Sequence, residues 1–90
     1  MENQTSFESK CFILSEVWHN YRYDKQFDDF IIHNDLGLPL AFAITEGIID
    51  STPTAQALVE DSFSLLLNLL GVEDTGFDSF DDILNPLMPE

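Results

Sequence analysis

Between Ser6 and Tyr21 the apolar residues Phe7, Cys11, Leu14, Trp18 and Tyr21 recur at steps of three and four. Such steps place side chains on one face of an α-helix, and Ile13 and Val17 widen that face. The pattern predicts a helix here. Thr5 or Ser6 can cap its start, with the polar residues 1–5 fraying ahead of it. After a polar joint over residues 21–25, Phe27, Phe30 and Ile31 face away from Asp28, Asp29 and His33. This predicts a short amphipathic helix that ends between His33 and Leu36, with Gly37 as its C-terminal stop.

The run LGLPLAFAITEGII, residues 36–49, holds a single charge. Leu38, Leu40, Phe42 and Ile44 alternate with smaller residues, as in a strand. The alternates are apolar or small rather than charged, though, and Ala41 and Ala43 favour a helix, while Pro39 suits a first helical turn. Leu40, Ala41, Ile44 and Ile48 also fit one helical stripe. A lone strand needs a partner, and no second strong strand is visible, so a helix is the preferred reading.

The clearest punctuation is DSTP at residues 50–53. Thr52 reads as an N-cap and Pro53 as the first helical residue, opening a helix that runs to Leu70 and stops at Gly71. Val59, Phe63, Leu66 and Leu70 form one apolar stripe, and Leu58, Leu65 and Leu69 a second beside it. Gln56, Glu60, Ser64 and Asn68 hold the polar side. Two adjacent stripes predict a helix covered on more than one side, and therefore a central one. Beyond it, Gly76 marks a turn, and Asp78 or Ser79 can cap a short helix over residues 79–84 that Pro86 closes. The expected architecture is all-α: one compact domain over residues 1–90, four or five short helices around a central helix near residues 53–70. The ends are a frayed N-terminus (1–5) and a short acidic C-terminal segment (72–90).

Charge changes the picture more than composition does. The formal net charge is −14, and the only basic residues are Lys10, Arg22 and Lys25. After Lys25 the chain has thirteen Asp or Glu and no Lys or Arg. A field of that sign repels phosphate backbones, which argues against direct nucleic-acid binding, and its natural complement is a basic protein surface. Apolar residues make up 44% of the chain, which argues for folding despite the charge. The run at 36–49 is shorter than the roughly twenty residues a bilayer crossing needs, and it lacks basic flanks for lying on a membrane. The first ten residues show no basic then apolar pattern of a leader. With a single cysteine, no internal disulfide forms, and a reducing, cytoplasmic setting is expected.

Candidate chemistry is sparse. Cys11 falls on a core-facing position, where a thiol behaves as a small hydrophobe. His19 and His33 lie near helix ends, where a cation settles the helix dipole, and neither sits in a GxSxG or HExxH motif. Reading Gly76 as the sixth residue of a calcium loop puts Gly71 at the first ligand position, so the loop fails. Asp28 with Asp29, and Asp81 with Asp82, are sequential pairs that point in different directions on a helix and chelate poorly. No enzyme, cofactor or metal site is expected.

The tail interleaves Phe77, Phe80, Ile83, Leu84 and Leu87 with Asp78, Asp81 and Asp82. Phe80, Leu84 and Leu87 have the spacing of a segment laid into a partner's groove. Phe77, Phe80 and Leu84 also serve to cover the end of the protein's own core, and for the tail this is the preferred reading, since a small domain needs every large apolar side chain it has. The preferred function is a non-enzymatic, acidic interaction module that docks on a basic protein surface through Asp28, Asp29, Phe77, Phe80, Asp81 and Asp82. The alternatives are a nucleic-acid mimic that blocks a DNA- or RNA-binding protein, and a carboxylate metal-binding domain. A homodimer would absorb excess apolar surface on the central helix.

Overall fold

The computed structural model describes residues 4–84. Over these residues the chain forms five α-helices and no strand: α1 (Phe7–Asn20), α2 (Asp28–His33), α3 (Gly37–Thr45), α4 (Pro53–Leu70) and α5 (Phe80–Leu84). A 3-10 turn over Lys25–Phe27 leads into α2. The all-α architecture expected from the sequence is the one observed.

Three helix starts form as local side-chain chemistry dictates. Ser6 Oγ accepts a hydrogen bond from the Ser9 N–H (3.1 Å), and Thr52 Oγ1 accepts one from the Ala55 N–H (3.1 Å), with Pro53 in the first turn of α4. Each satisfies one of the amides that a helix start leaves without a partner. Ser79 Oγ accepts from the Asp82 N–H at α5 (3.4 Å). At the far end of α4, Gly71 takes φ 71°; its N–H donates to the Asn68 carbonyl and the Val72 N–H reaches back to the Leu67 carbonyl. α3 closes in the same way, with Gly47 at φ 74° and the Ile48 N–H donating to the Ala43 carbonyl. In both cases a left-handed glycine brings two carbonyls of the last turn into hydrogen bonds.

The core is built where α1, α3 and α4 meet. α1 contributes Cys11, Ile13, Leu14 and Val17, α3 contributes Leu38 and Ala41, and α4 contributes Val59, Phe63, Leu66 and Leu67. α1 packs against α3, α4 and α5, while α4 packs against α1, α2 and α3, so the two longest helices share the centre. The stripe expected on α3 is shifted. Leu38 and Ala41 are buried and Ile44 packs partly, whereas Ile48 lies past the end of the helix and is exposed. The second stripe expected on α4 is not covered: Leu65 and Leu69 are 46% and 45% exposed.

Gly37 does not stop α2. It is the first residue of α3, is itself buried, and sits against α4. A Cβ added there would collide with Ser62 Oγ and come within 3.0 Å of the Leu58 carbonyl oxygen. The glycine is thus needed for close approach of two backbones, not for a left-handed turn. Ser62 is held in place. Its hydroxyl donates to Asn34 Oδ1 (2.8 Å), and Asn34 Nδ2 donates to the Phe30 carbonyl (2.8 Å), all buried. Three helices are joined at this one polar point, and the direction of the chain from α2 into α3 is set there.

Thr5 is not frayed; it is buried. Its N–H and hydroxyl both donate to Asp74 Oδ1 (2.9 and 2.7 Å), and its Oγ1 accepts from the Phe77 N–H (2.9 Å). The Gly76 N–H adds a further bond to Asp74 (3.0 Å). This latch ties the entry of α1 to the segment before α5. Partial burial alone would raise the Asp74 pKa, but the Thr5 hydroxyl, the Gly76 and Thr5 amides and the Lys10 charge outweigh it and hold the carboxyl below its ordinary value.

Gly37→Ala is expected to cost about 1–3 kcal/mol, because Ser62 is pinned and the Leu58 carbonyl is backbone; urea unfolding measures it. Thr5→Val is expected to cost about 1–3 kcal/mol at neutral pH, since the buried Phe77 N–H loses its acceptor. The same variant tests the Asp74 charge. A carboxyl with a depressed folded pKa stabilises above its unfolded pKa and loses that contribution as the pH falls through the folded value. The parent should therefore weaken on acidification below about pH 4, and Thr5→Val should have less to lose over that range.

Candidate functional site

The six residues expected to form a docking surface separate into two groups. Asp28 and Asp29 are exposed in the first turn of α2, and Asp81 and Asp82 are exposed in the first turn of α5. Acidic side chains in a first turn also suit the positive end of the helix dipole. Phe77 and Phe80 are only 7% and 2% exposed. Docking a partner by burying those two rings is therefore not available to the folded chain, because the rings already belong to its core. Phe80 meets Tyr21 edge-on at 5.1 Å and Phe27 at 6.2 Å between ring centres, and Tyr21 meets Phe27 at 5.4 Å. Such tilted contacts suit the ring quadrupoles.

α5 is fixed at its start as well. The Phe80 N–H donates to Glu16 Oε1 of α1 (2.9 Å), and Asp82 Oδ2 accepts from the Asp78 N–H (3.0 Å). Phe27 and Phe80 immediately precede Asp28 and Asp81, so both acidic first turns rise from one aromatic cluster. The four aspartates are thus exposed, while the two phenylalanines expected beside them are buried. Leu87 lies outside the described residues.

The feature that sequence reasoning missed is a groove between α2 and α4. Phe30 and His33 of α2, with Asn34 just beyond it, form one side, and Leu65, Asn68 and Leu69 of α4 form the other, around a volume of about 480 Å³. A second depression of about 260 Å³ shares His33, Asn34 and Leu65 and extends toward Leu36 and Leu58. Asp29 lines the first part, and Asp35 and Asp61 line the second. The signal for this groove was the second stripe, Leu58, Leu65 and Leu69. Its apolar character was legible, but not that α2 is too short to cover it.

The remaining reactive groups are dispersed. Cys11 is buried, and burial, with a smaller contribution from the Glu8 charge, pushes its thiol up to about 11. It borders a depression with Glu8, Ile44 and Thr45, and no imidazole lines it. His33 Nδ1 lies 2.8 Å from the Asp29 carbonyl oxygen. A carbonyl only accepts, so Nδ1 donates and the ring braces its own helix end. His19 stacks nearly parallel on Phe42, with ring centres 6.5 Å apart. Among the described residues no three His, Cys, Asp or Glu side chains converge in a way that would hold a metal ion, so the metal-binding alternative has no ligand set there. No helix among them is long and apolar enough to cross a membrane.

Among the described residues these features define an all-α arrangement of five helices with an open apolar groove between α2 and α4. No protein family, curated protein or solved structure matches the chain.

With its thiol held protonated and covered, Cys11 is expected to resist iodoacetamide at about pH 8 in the folded protein and to react once urea unfolds the chain. Mass spectrometry follows the adduct. Rapid alkylation without denaturant would mean that the α1–α3 contact opens.

Proposed function

We propose that this chain is a non-enzymatic interaction module that docks an acidic surface on a basic surface of a protein partner. The observation that carries the reading is the large excess of exposed carboxylates over cations. Exposed carboxylates stand on α1 (Glu8), α2 (Asp28, Asp29), α4 (Glu60, Asp61) and α5 (Asp81, Asp82), with others in the connections. The cations are few and partly engaged. The Arg22 guanidinium lies over the Trp18 and Tyr23 rings, at 4.6 and 5.1 Å, and the Lys10 ammonium lies 5.5 Å from the Phe63 ring centre. Cation–π contacts of this kind hold a charge close to the protein's own rings.

The mechanism is electrostatic. A like-signed surface steers an oppositely charged partner into encounter and rejects anionic competitors, and salt weakens it over a Debye length of about 8–10 Å. The dispersed thiol and imidazoles support the non-enzymatic part of the reading.

Affinity capture on the full chain, from a nuclease-treated extract of the native host at low salt, tests this. Retained proteins should be rich in Lys and Arg, and should elute as the salt rises toward about 0.5 M. Retention of neutral or acidic proteins that is indifferent to salt would overturn the reading. Displacement of a captured protein by duplex DNA would transfer the case to the mimic.

A further inference from the structure

We propose that the groove between α2 and α4 receives an amphipathic helix of a protein partner, apolar on the buried side and flanked by Lys or Arg. The inference rests on the acidic-module reading and adds to it a location and a shape.

The groove has a floor, walls and a charged rim. Phe30, only slightly exposed, forms the floor, and Leu65 and Leu69 form one wall with nearly half of each side chain open to solvent. Leu36, 64% exposed, continues the apolar surface beyond Leu65. Leu58 and Leu69 are eleven residues apart on α4, about 16 Å along a helix axis, or about three turns. That length matches a three-turn helix that presents side chains at i, i+3 or i+4, and i+7. The walls are also fixed: the Ser62–Asn34–Phe30 hydrogen bonds hold the end of α2 against α4. A preformed groove spares a binder part of the ordering cost.

Charge selects the occupant. Asp29, Asp35 and Asp61 rim the groove, none of its lining residues is Lys or Arg, and the chain has neither beyond Lys25. A second copy would bring another net charge of −14 against that rim. The chain's own residues 85–90 contain apolar Leu87 and Met88 but no cation to answer the rim. A helix with Leu on one side and Lys or Arg on its flanks satisfies both the wall and the rim.

The test uses the full chain, labelled with ¹⁵N, and a synthetic amphipathic Leu/Lys helix of about 14 residues. The controls are a scrambled peptide of the same composition and a Leu/Glu twin, all at about 50 mM salt. The Leu/Lys helix should shift amides of α2 and α4 and bind at least about tenfold tighter than its scrambled form. Leu65→Ser and Leu69→Ser should each remove most of that advantage. Asp61→Lys should weaken binding more than Asp78→Lys, which changes net charge equally but lies outside the groove lining.

If both cationic peptides bind alike, and neither leucine nor the choice of aspartate matters, the groove proposal fails while the acidic-module reading stands. If no cationic peptide binds even at this salt, both fail. Equal binding of the Leu/Glu twin overturns the charge selection. A free protein that is dimeric and becomes monomeric on Leu65→Ser assigns the groove to a second copy. Shifts of α2 and α4 amides on Leu87→Ser in the free protein assign it to the chain's own end. Either of these last two results overturns the proposal.

Discussion

Where α3 begins, its backbone lies almost directly on α4, and much of the structure follows from that contact. Gly37 has no side chain to hold the two helices apart, so Leu38 and Ala41 reach the core beside Val59, Phe63 and Leu66. The contact is apolar on one side and polar on the other. Ser62 faces Gly37 and is also the donor to Asn34, so the position that admits α3 is the same one that anchors the end of α2. Among the described residues no buried side-chain nitrogen or oxygen is left without a hydrogen-bond partner. A half-satisfied polar cluster at this depth would cost more than an apolar one. The groove is a consequence of the same junction: α2 is clamped at its end, and its six residues leave Leu65 and Leu69 uncovered.

The fold must also withstand its own charge. A net charge of −14 on a chain this small opposes compaction. Several carboxylates are used to offset this locally. Asp28, Asp29, Asp81 and Asp82 sit at helix starts, where the dipole favours them, and Glu16 and Asp74 accept backbone amides. His19 and His33 occupy last turns, where a positive charge suits the dipole. Salt screens what repulsion remains within the folded chain.

What was legible in the sequence was local. The helix starts at Thr5 or Ser6, at Thr52, and at Asp78 or Ser79 could be read because capping oxygens bond amides three residues away, as Ser6, Thr52 and Ser79 do. Gly71 could be read as a stop because a left-handed glycine acts within its own turn. Gly37 was misread because a glycine after a helix fits both a stop and a close approach, and only α4, some twenty residues on, decides between them. Thr5 looked free because its partner Asp74 is 69 positions away. Phe80, Leu84 and Leu87 had the spacing of a segment laid into a partner's groove, but Phe77 and Phe80 are buried in the protein's own core. The second leucine stripe of α4 was read as covered because an apolar stripe implies a neighbour, but Leu65 and Leu69 stay nearly half exposed.

The Thr5–Asp74 latch joins residues nearly a whole chain apart, whereas α2, α3 and α4 are assembled from neighbours in sequence. Closing so long a loop carries a large entropy cost before any contact repays it. The latch, and with it the seating of α5, is therefore expected to form after the helices that are neighbours in sequence. A lesion in a contact made that late is expected to speed unfolding more than it slows folding.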